Sequence, residues 1–441
     1  MSRTGVAWVL VGAQKAFLML PLLLAAGCSP GSPGPAMSSS PPVSAPSGVV
    51  SATPSASAPA STATPPPYAC PATPTPSHNS IDSLTMLTAD TGWARRSVDG
   101  AVLHTTEGVQ HWLVATPHVP DGQQIVAVAF VSAGSARVLT AGGLSCNADA
   151  PPVSMTFTSW ATGDGGALWS RGGAFSVVQD PGLSWAGALD FVNLDDGWFS
   201  ANQIDTDVSL GTTLFRTVDG GARWEEVALL KPGPGSPGSM PCYAQPTATF
   251  INTTTGWLTG GGCATAQFEV SHNGGATWSS QPLPLLSTPY MGLGSPTFIT
   301  GQEGVMLGTP ASEQPGVVAY VTLNAGRNWT AHGAPGISPH AVDFINAYDG
   351  WLLSSDTMNA GFAAGLYVTH DGGKIWSTLQ PLDNGPPRPG GHDFNGSILD
   401  FVSSTLGWTD TFTGDNDALL QTTDGGHTWK LVTVQIAGST G

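Results

Sequence analysis

Thr422-Thr423-Asp424-Gly425-Gly426-His427-Thr428-Trp429 is the stretch that decides how the chain reads. Its frame is Thr or Ser, any residue, Asp or Asn, two Gly, two variable residues and a Trp. The same frame ends at Trp169, Trp224, Trp278 and Trp376. Two degraded copies run from Thr322 through Asn324, Ala325 and Gly326 to Trp329, and from Thr105 through Glu107, Gly108 and Val109 to Trp112. The seven closing Trp lie 47 to 57 residues apart, a period of roughly fifty that belongs to solenoids and propellers. About twenty residues before most copies, an apolar-polar stretch ends in Gly-Trp: Gly92-Trp93, Gly197-Trp198, Gly256-Trp257, Gly350-Trp351 and Gly407-Trp408. The second and fifth copies lose this Trp, leaving the stretches from Phe130 to Leu139 and from Phe298 to Val305.

Within a period the sequence predicts four short strands. In the sixth copy they are Ala341–Asn346, Trp351–Ser354, Gly365–Thr369 and Ile375–Leu379, with a turn over Ala347 to Gly350. No stretch carries helical periodicity. Four antiparallel strands repeated seven times predict an all-β fold, a seven-bladed β-propeller, in which radial closure removes the exposed edges of a linear stack. The third position of the eight-residue frame, held by Asp164, Asp219, Asn273, Asn324, Asp371 and Asp424, is expected to accept backbone N–H bonds across the turn between third and fourth strands. The Thr or Ser caps the same loop, Gly-Gly supplies positive φ, and the Trp enters the apolar layer between sheets. His272, His370 and His427 occupy variable positions and are expected to be exposed without a role. Blade one starts with its own first strand and blade seven ends with its own fourth, residues 429–434. The sequence therefore predicts no strand exchange between termini, with closure by blade packing and a bridge at Cys70.

The N-terminus is of a different kind. Arg3 and Lys15 precede an apolar run from Ala16 to Gly27 that is too short to span a bilayer and reads as a signal peptide. Leu24-Ala25-Ala26-Gly27-Cys28 resembles a bacterial lipobox, which implies lipidation of Cys28 and an extracytoplasmic chain anchored to a bacterial membrane. Three segments follow: a signal peptide over 1–27, a lipidated, disordered Pro/Ser/Ala-rich linker over 28–67, and the propeller over 68–441. The linker has no charged residue and too little apolar surface to fold. Residues 1–67 hold two basic and no acidic residues, so of 13 Lys/Arg and 30 Asp/Glu the remainder carries 11 against 30, a net −19. Such a field disfavours nucleic acid and suits cationic partners or simple solubility. With Cys28 lipidated, Cys70, Cys146, Cys242 and Cys263 form an even set in an oxidising compartment. Of three possible pairings, blade register favours Cys242–Cys263, which leaves Cys70–Cys146. Closing the former loop is worth about 3 kcal/mol.

On these residues the eight-residue frame resembles the bacterial neuraminidase (BNR, or Asp-box) repeat. The combined pattern of Phe, Gly-Trp and Thr-x-Asp-Gly-Gly-x-x-Trp over residues 80 to 436 is similar to the photosystem II stability/assembly factor type of seven-bladed propeller. The resemblance implies that fold, and it admits sialidases, xyloglucanases, sortilin-type receptors and assembly factors as functions. The sequence departs from sialidases, which have six blades and an Arg-Ile-Pro signature, and from xyloglucanases, which need two propellers. It also departs from the assembly factors, whose Arg-rich patch contrasts with the acidic charge here.

No catalytic constellation emerges from motif search. A Gly-x-Ser-x-Gly string at 27–31 straddles the lipid site, and a Gly-x-Gly-x-x-Gly string at 233–238 contains two Pro. No zinc spacing occurs and no cofactor is implied. Candidate ligand contacts lie where loops between second and third strands, and loops between blades, share one face: Asp205, Asp207, Arg388, His392, Asp393, Asp410, Asp415 and Asp417, beside the long loops 231–239, 358–364 and 384–395. The function expected is that of a non-catalytic, monomeric binding or assembly module at the cell envelope, recognising a protein or glycan. The alternative is an exo-acting, sialidase-like glycoside hydrolase with a carboxylate pair at the propeller axis.

Overall fold

The computed structural model describes residues 81–438 apart from 97–98, 143–152, 180–183, 206–207, 231–246, 261–266, 285–289, 311–315, 336, 338, 355–364, 382–397 and 414–415. Every regular element among them is a strand, and the strands form seven sheets. The chain is a seven-bladed β-propeller. Its blades span residues 81–114, 123–179, 184–230, 247–280, 290–335, 339–381 and 399–432, each an antiparallel set in chain order from the innermost strand outward. In blade five the innermost strand is broken into Tyr290–Leu293 and Thr297–Phe298, both paired with Gly304–Pro310. Blade six follows the sequence reading with small shifts. Its strands are Pro339–Phe344, Gly350–Ser354, Gly365–Thr369 and Ser377–Pro381. The fourth starts two residues later than expected because the Ile375 N–H still donates to the Asp371 carboxylate and remains part of the turn.

The core is a set of apolar layers between neighbouring blades, and one three-residue motif builds most of it. The last residue of each innermost strand is Phe130, Phe191, Phe250, Phe298, Phe344 or Phe401, or Met86 in blade one. It pairs with the first residue of the second strand, which is Gly in six blades and Ala136 in blade two. Glycine is required there because the Phe ring lies over it: a Cβ at Gly197, Gly256, Gly304, Gly350 or Gly407 would stand 2.8 Å or less from that ring. The Trp after the Gly then stacks on the Phe of the following blade. Trp198 meets Phe250 at 3.8 Å and Trp351 meets Phe401 at 3.9 Å, and Trp93–Phe130 and Trp257–Phe298 repeat the arrangement. From the other side the blade's own turn Trp meets its Phe edge-on, as Trp224–Phe191 and Trp429–Phe401 do.

Where the Trp is missing, something else fills the layer. In blade two Arg137 stands at the Trp position, with its guanidinium 5.6 Å from the Phe191 centroid and a hydrogen bond to the Leu194 carbonyl at 2.7 Å. In blade five Val305 packs with Val321, Ala347 and Phe344.

Ring closure differs from the sequence reading. A strand Gln435–Ala437 beyond blade seven pairs in parallel with His111–Val114, the outermost strand of blade one, and makes that sheet five-stranded. The Gln435 N–H donates to the Gln110 carbonyl at 2.8 Å. The expectation of no strand exchange is therefore corrected: the chain after Val432 stays extended because Val434 and Ile436 pack into the layer with Trp112 and Trp408. At the inner end of the same joint the Asp400 carboxylate accepts the Met86 N–H at 2.7 Å. Cys70, assigned a part in closure, lies outside the described residues.

Candidate functional site

The eight-residue turns organise one face. In six of them the first-position hydroxyl donates to the third-position side chain at 2.8 to 3.1 Å. That side chain's Oδ1 accepts the N–H four residues on from itself at 2.8 to 3.0 Å. The same hydroxyl accepts the N–H of the second Gly. In all seven blades the N–H at the fourth position donates to a carbonyl in the turn between first and second strands, at 2.7 to 3.0 Å. Both kinds of turn are thus tied together on one side of the blades. The N–H bonds hold the Asp164 carboxyl below its ordinary range, the Leu168 N–H contributing most, and the hydroxyl and N–H of Thr428 hold Asp424 down at about 2. These groups are committed to shaping the backbone.

The inner strands hold a second set of carboxylates that sequence reasoning missed. Asp190 accepts the Phe250 N–H at 2.8 Å and Asp343 accepts the Phe401 N–H at 2.6 Å, as Asp400 does with Met86. Each reaches across to the next blade. Their signal was the Asp-Phe dipeptide at one register: Asp190-Phe191, Asp343-Phe344 and Asp400-Phe401. Burial pushes the Asp190 carboxyl up to about 6, against the pull of the Phe250 and Phe191 N–H groups.

The opposite ends of the strands carry the loops on which the sequence placed its ligand contacts. Asp207, Arg388, His392, Asp393 and Asp415 lie outside the described residues, as do the loops 231–239, 358–364 and 384–395. So do Cys28, Cys70, Cys146, Cys242 and Cys263. Asp205 ends the strand Gly197–Asp205 and Asp417 lies in Asn416–Thr422. Asp410 is half-buried in the second strand of blade seven, and its Oδ1 accepts the Ile398 N–H at 2.6 Å.

At the same ends blade one carries two ion pairs. Arg96 grips Asp99 with two N–H donors, at 2.9 and 2.6 Å, which holds the Asp99 carboxyl below its usual range and raises Arg96. The Arg95 Nε stands 3.9 Å from an Asp82 oxygen on the innermost strand, and burial outweighs Arg95 in raising Asp82. The signal for these pairs was Arg95-Arg96, the one adjacent basic pair beyond residue 67. Among the described residues no group of three or more His, Cys, Asp or Glu is placed to hold a metal ion. Of the three histidines expected to lack a role, His370 bonds Asp349 at 2.7 Å and links the two turns of blade six.

No family model matches the sequence. No curated protein matches it either. Among solved structures the fold is similar to YCF48 bound to D1 peptide, at 17% identity and a TM-score of 0.42, covering 71% of this chain and 83% of that one. It is also similar to YCF48 from Cyanidioschyzon merolae, at 14% identity and a TM-score of 0.43, covering 72% and 88%. A prolyl endopeptidase structure aligns at 9% identity and a TM-score of 0.51, covering 80% of this chain and 49% of that one, so this chain spans about half of the enzyme. At these identities the likeness concerns the fold.

Proposed function

We propose that the protein is a non-catalytic binding or assembly module, held at a bacterial cell envelope by a lipid on Cys28 and recognising a protein or glycan through the loops between second and third strands and between blades. The observation that carries this reading is the commitment of the three inter-blade carboxylates and of the third-position side chains of the eight-residue turns to backbone N–H groups. Asp190, Asp343 and Asp400 each clasp the next blade, and the turn Asp and Asn residues shape the face away from those loops. A glycosidase needs two carboxyls facing one sugar, one of them free to give a proton. Recognition then falls to the loops, with the Arg95–Asp82 and Arg96–Asp99 pairs at the same ends of the strands, and the four cysteines would brace those loops as Cys242–Cys263 and Cys70–Cys146.

The test is capture from the native envelope with the lipid anchor intact, comparing the wild type with a chain whose residues 231–239 and 384–395 are replaced by Gly and Ser. One reproducible set of partners, lost with the replacement, is expected. Steady release of sugar from chromogenic glycosides by the purified chain would reverse the reading.

A further inference from the structure

Among the described residues ten large apolar side chains are exposed. Six of the ten, Leu168, Leu194, Val218, Leu323, Tyr348 and Ile375, sit in the turns between first and second or third and fourth strands. The other four, Leu113, Val178, Leu229 and Leu431, lie on the fourth strands of their blades. The turn face, on the side away from the loops of the proposed function, therefore carries a set of exposed apolar side chains among its polar ones.

On blades two and three a buried cation helps to join the turns that carry three of these side chains. Arg137 donates from Nη1 to the Thr162 carbonyl at 3.3 Å and from Nη2 to the Leu194 carbonyl at 2.7 Å. It therefore joins the 162–169 turn of blade two to the 192–196 turn of blade three. The Gly220 N–H, donating to the Asp195 carbonyl at 2.8 Å, adds the 217–224 turn. On this joined surface Leu168 is 76% exposed, Val218 62% and Leu194 48%. Asp164, Asp195 and Asp219 are exposed among them, and Arg223 is the one exposed cation in the three turns. Asp196 is paired with Arg216 at 3.4 Å.

We propose that this surface docks a polypeptide segment bearing alternating basic and apolar side chains. The aliphatic groups supply the apolar contact, while the net negative charge selects a cationic partner and repels both a second copy of this acidic chain and an anionic lipid surface. This surface is separate from the loop face and stands or falls independently of it.

The experiment measures binding of the full chain to a labelled twelve-residue peptide of alternating Leu and Lys, with Ser/Lys and Leu/Glu peptides of the same length as comparisons. Saturable binding of Leu/Lys is expected, at least tenfold tighter than either comparison and weakened at least tenfold in Leu194→Ser/Val218→Ser. Because both side chains are exposed, that double variant keeps its fold, which its unchanged melting temperature would show. Leu323→Ser/Ile375→Ser, on blades five and six, is expected to bind as the wild type does. Equal binding by Leu194→Ser/Val218→Ser, equal binding of Ser/Lys, or an equal loss in Leu323→Ser/Ile375→Ser would overturn the proposal. So would concentration-dependent self-association abolished by Leu194→Ser/Val218→Ser, which would make a second copy the occupant.

Discussion

At the scale of single residues, two buried titratable groups give the fold opposing responses to acid. Asp190 has its carboxyl raised to about 6 from an ordinary 3.8. Between those values the folded chain holds a proton that the unfolded chain releases, so stability rises as pH falls through 6 towards 4. Asp190→Asn keeps an oxygen for the Phe250 N–H and removes the titration. Relative to wild type its stability, read by denaturant melts, is expected to gain about 3 kcal/mol between pH 4 and pH 7. His104 acts in the other direction. Burial beneath the neighbouring blade lowers its pKa from 6.5, and its Nε2 faces the Ala133 carbonyl at 2.7 Å. Below pH 6.5 the unfolded chain takes up this proton more readily, so stability falls. His104→Gln is expected to show a shallower loss of melting temperature between pH 6.5 and pH 5. Ala325 is a third case, a non-glycine residue at φ 58° in the one described turn whose fourth position carries a Cβ at positive φ. Ala325→Gly is expected to raise stability by about 0.5–1 kcal/mol in the same melts, the left-handed strain outweighing the added freedom of the unfolded chain.

At the scale of the element, the turns were legible because their chemistry is local. Thr, Asp and two Gly within five residues dictate their own hydrogen bonds, and only Glu107-Gly108-Val109 departs, where Thr105 donates to the Gly108 carbonyl. The Phe-over-Gly pairing was half legible: Gly-Trp marked the second strand, but the reason for the Gly is a ring on the strand before it. The Trp partner lies a whole blade away, at a distance no window of sequence reports. Trp198→Ala is expected to cost about 3–5 kcal/mol in unfolding free energy, since it removes the stack on Phe250 and leaves a void between two blades. The inter-blade Asp residues were missed for the same reason. Each needs a backbone N–H about sixty residues away to have a meaning, or, for Asp400, one at the other end of the ring. The candidate site was the least legible part. Loop residues such as Arg388 and Asp393 belong to no repeating frame, so their types announce charge and nothing of their neighbours.

At the scale of the whole molecule, period and blade count followed from seven spaced Trp, whereas closure did not. The residues that close the ring, Gln435 to Ala437, carry no motif, and their partner strand lies more than three hundred residues earlier. Removing residues 434–441 strips the outer half of the joint between blades seven and one and leaves Asp400 holding the inner half. Its melting temperature is expected to fall by several degrees, and limited proteolysis is expected to cut first within residues 81–114 or 399–432.

The parallel strand on blade one also fixes an order of events in time. Blades one to six can each form from residues already made, each resting on its neighbour, but the joint around Met86 and His111 has to wait for residues 400 and 437. A chain emerging from its N-terminus therefore spends most of its synthesis as an open arc with one apolar flank uncovered. Contacts of such long sequence separation are slow to form. Residues 434–437, unremarkable in composition, thereby set the moment at which that flank is covered.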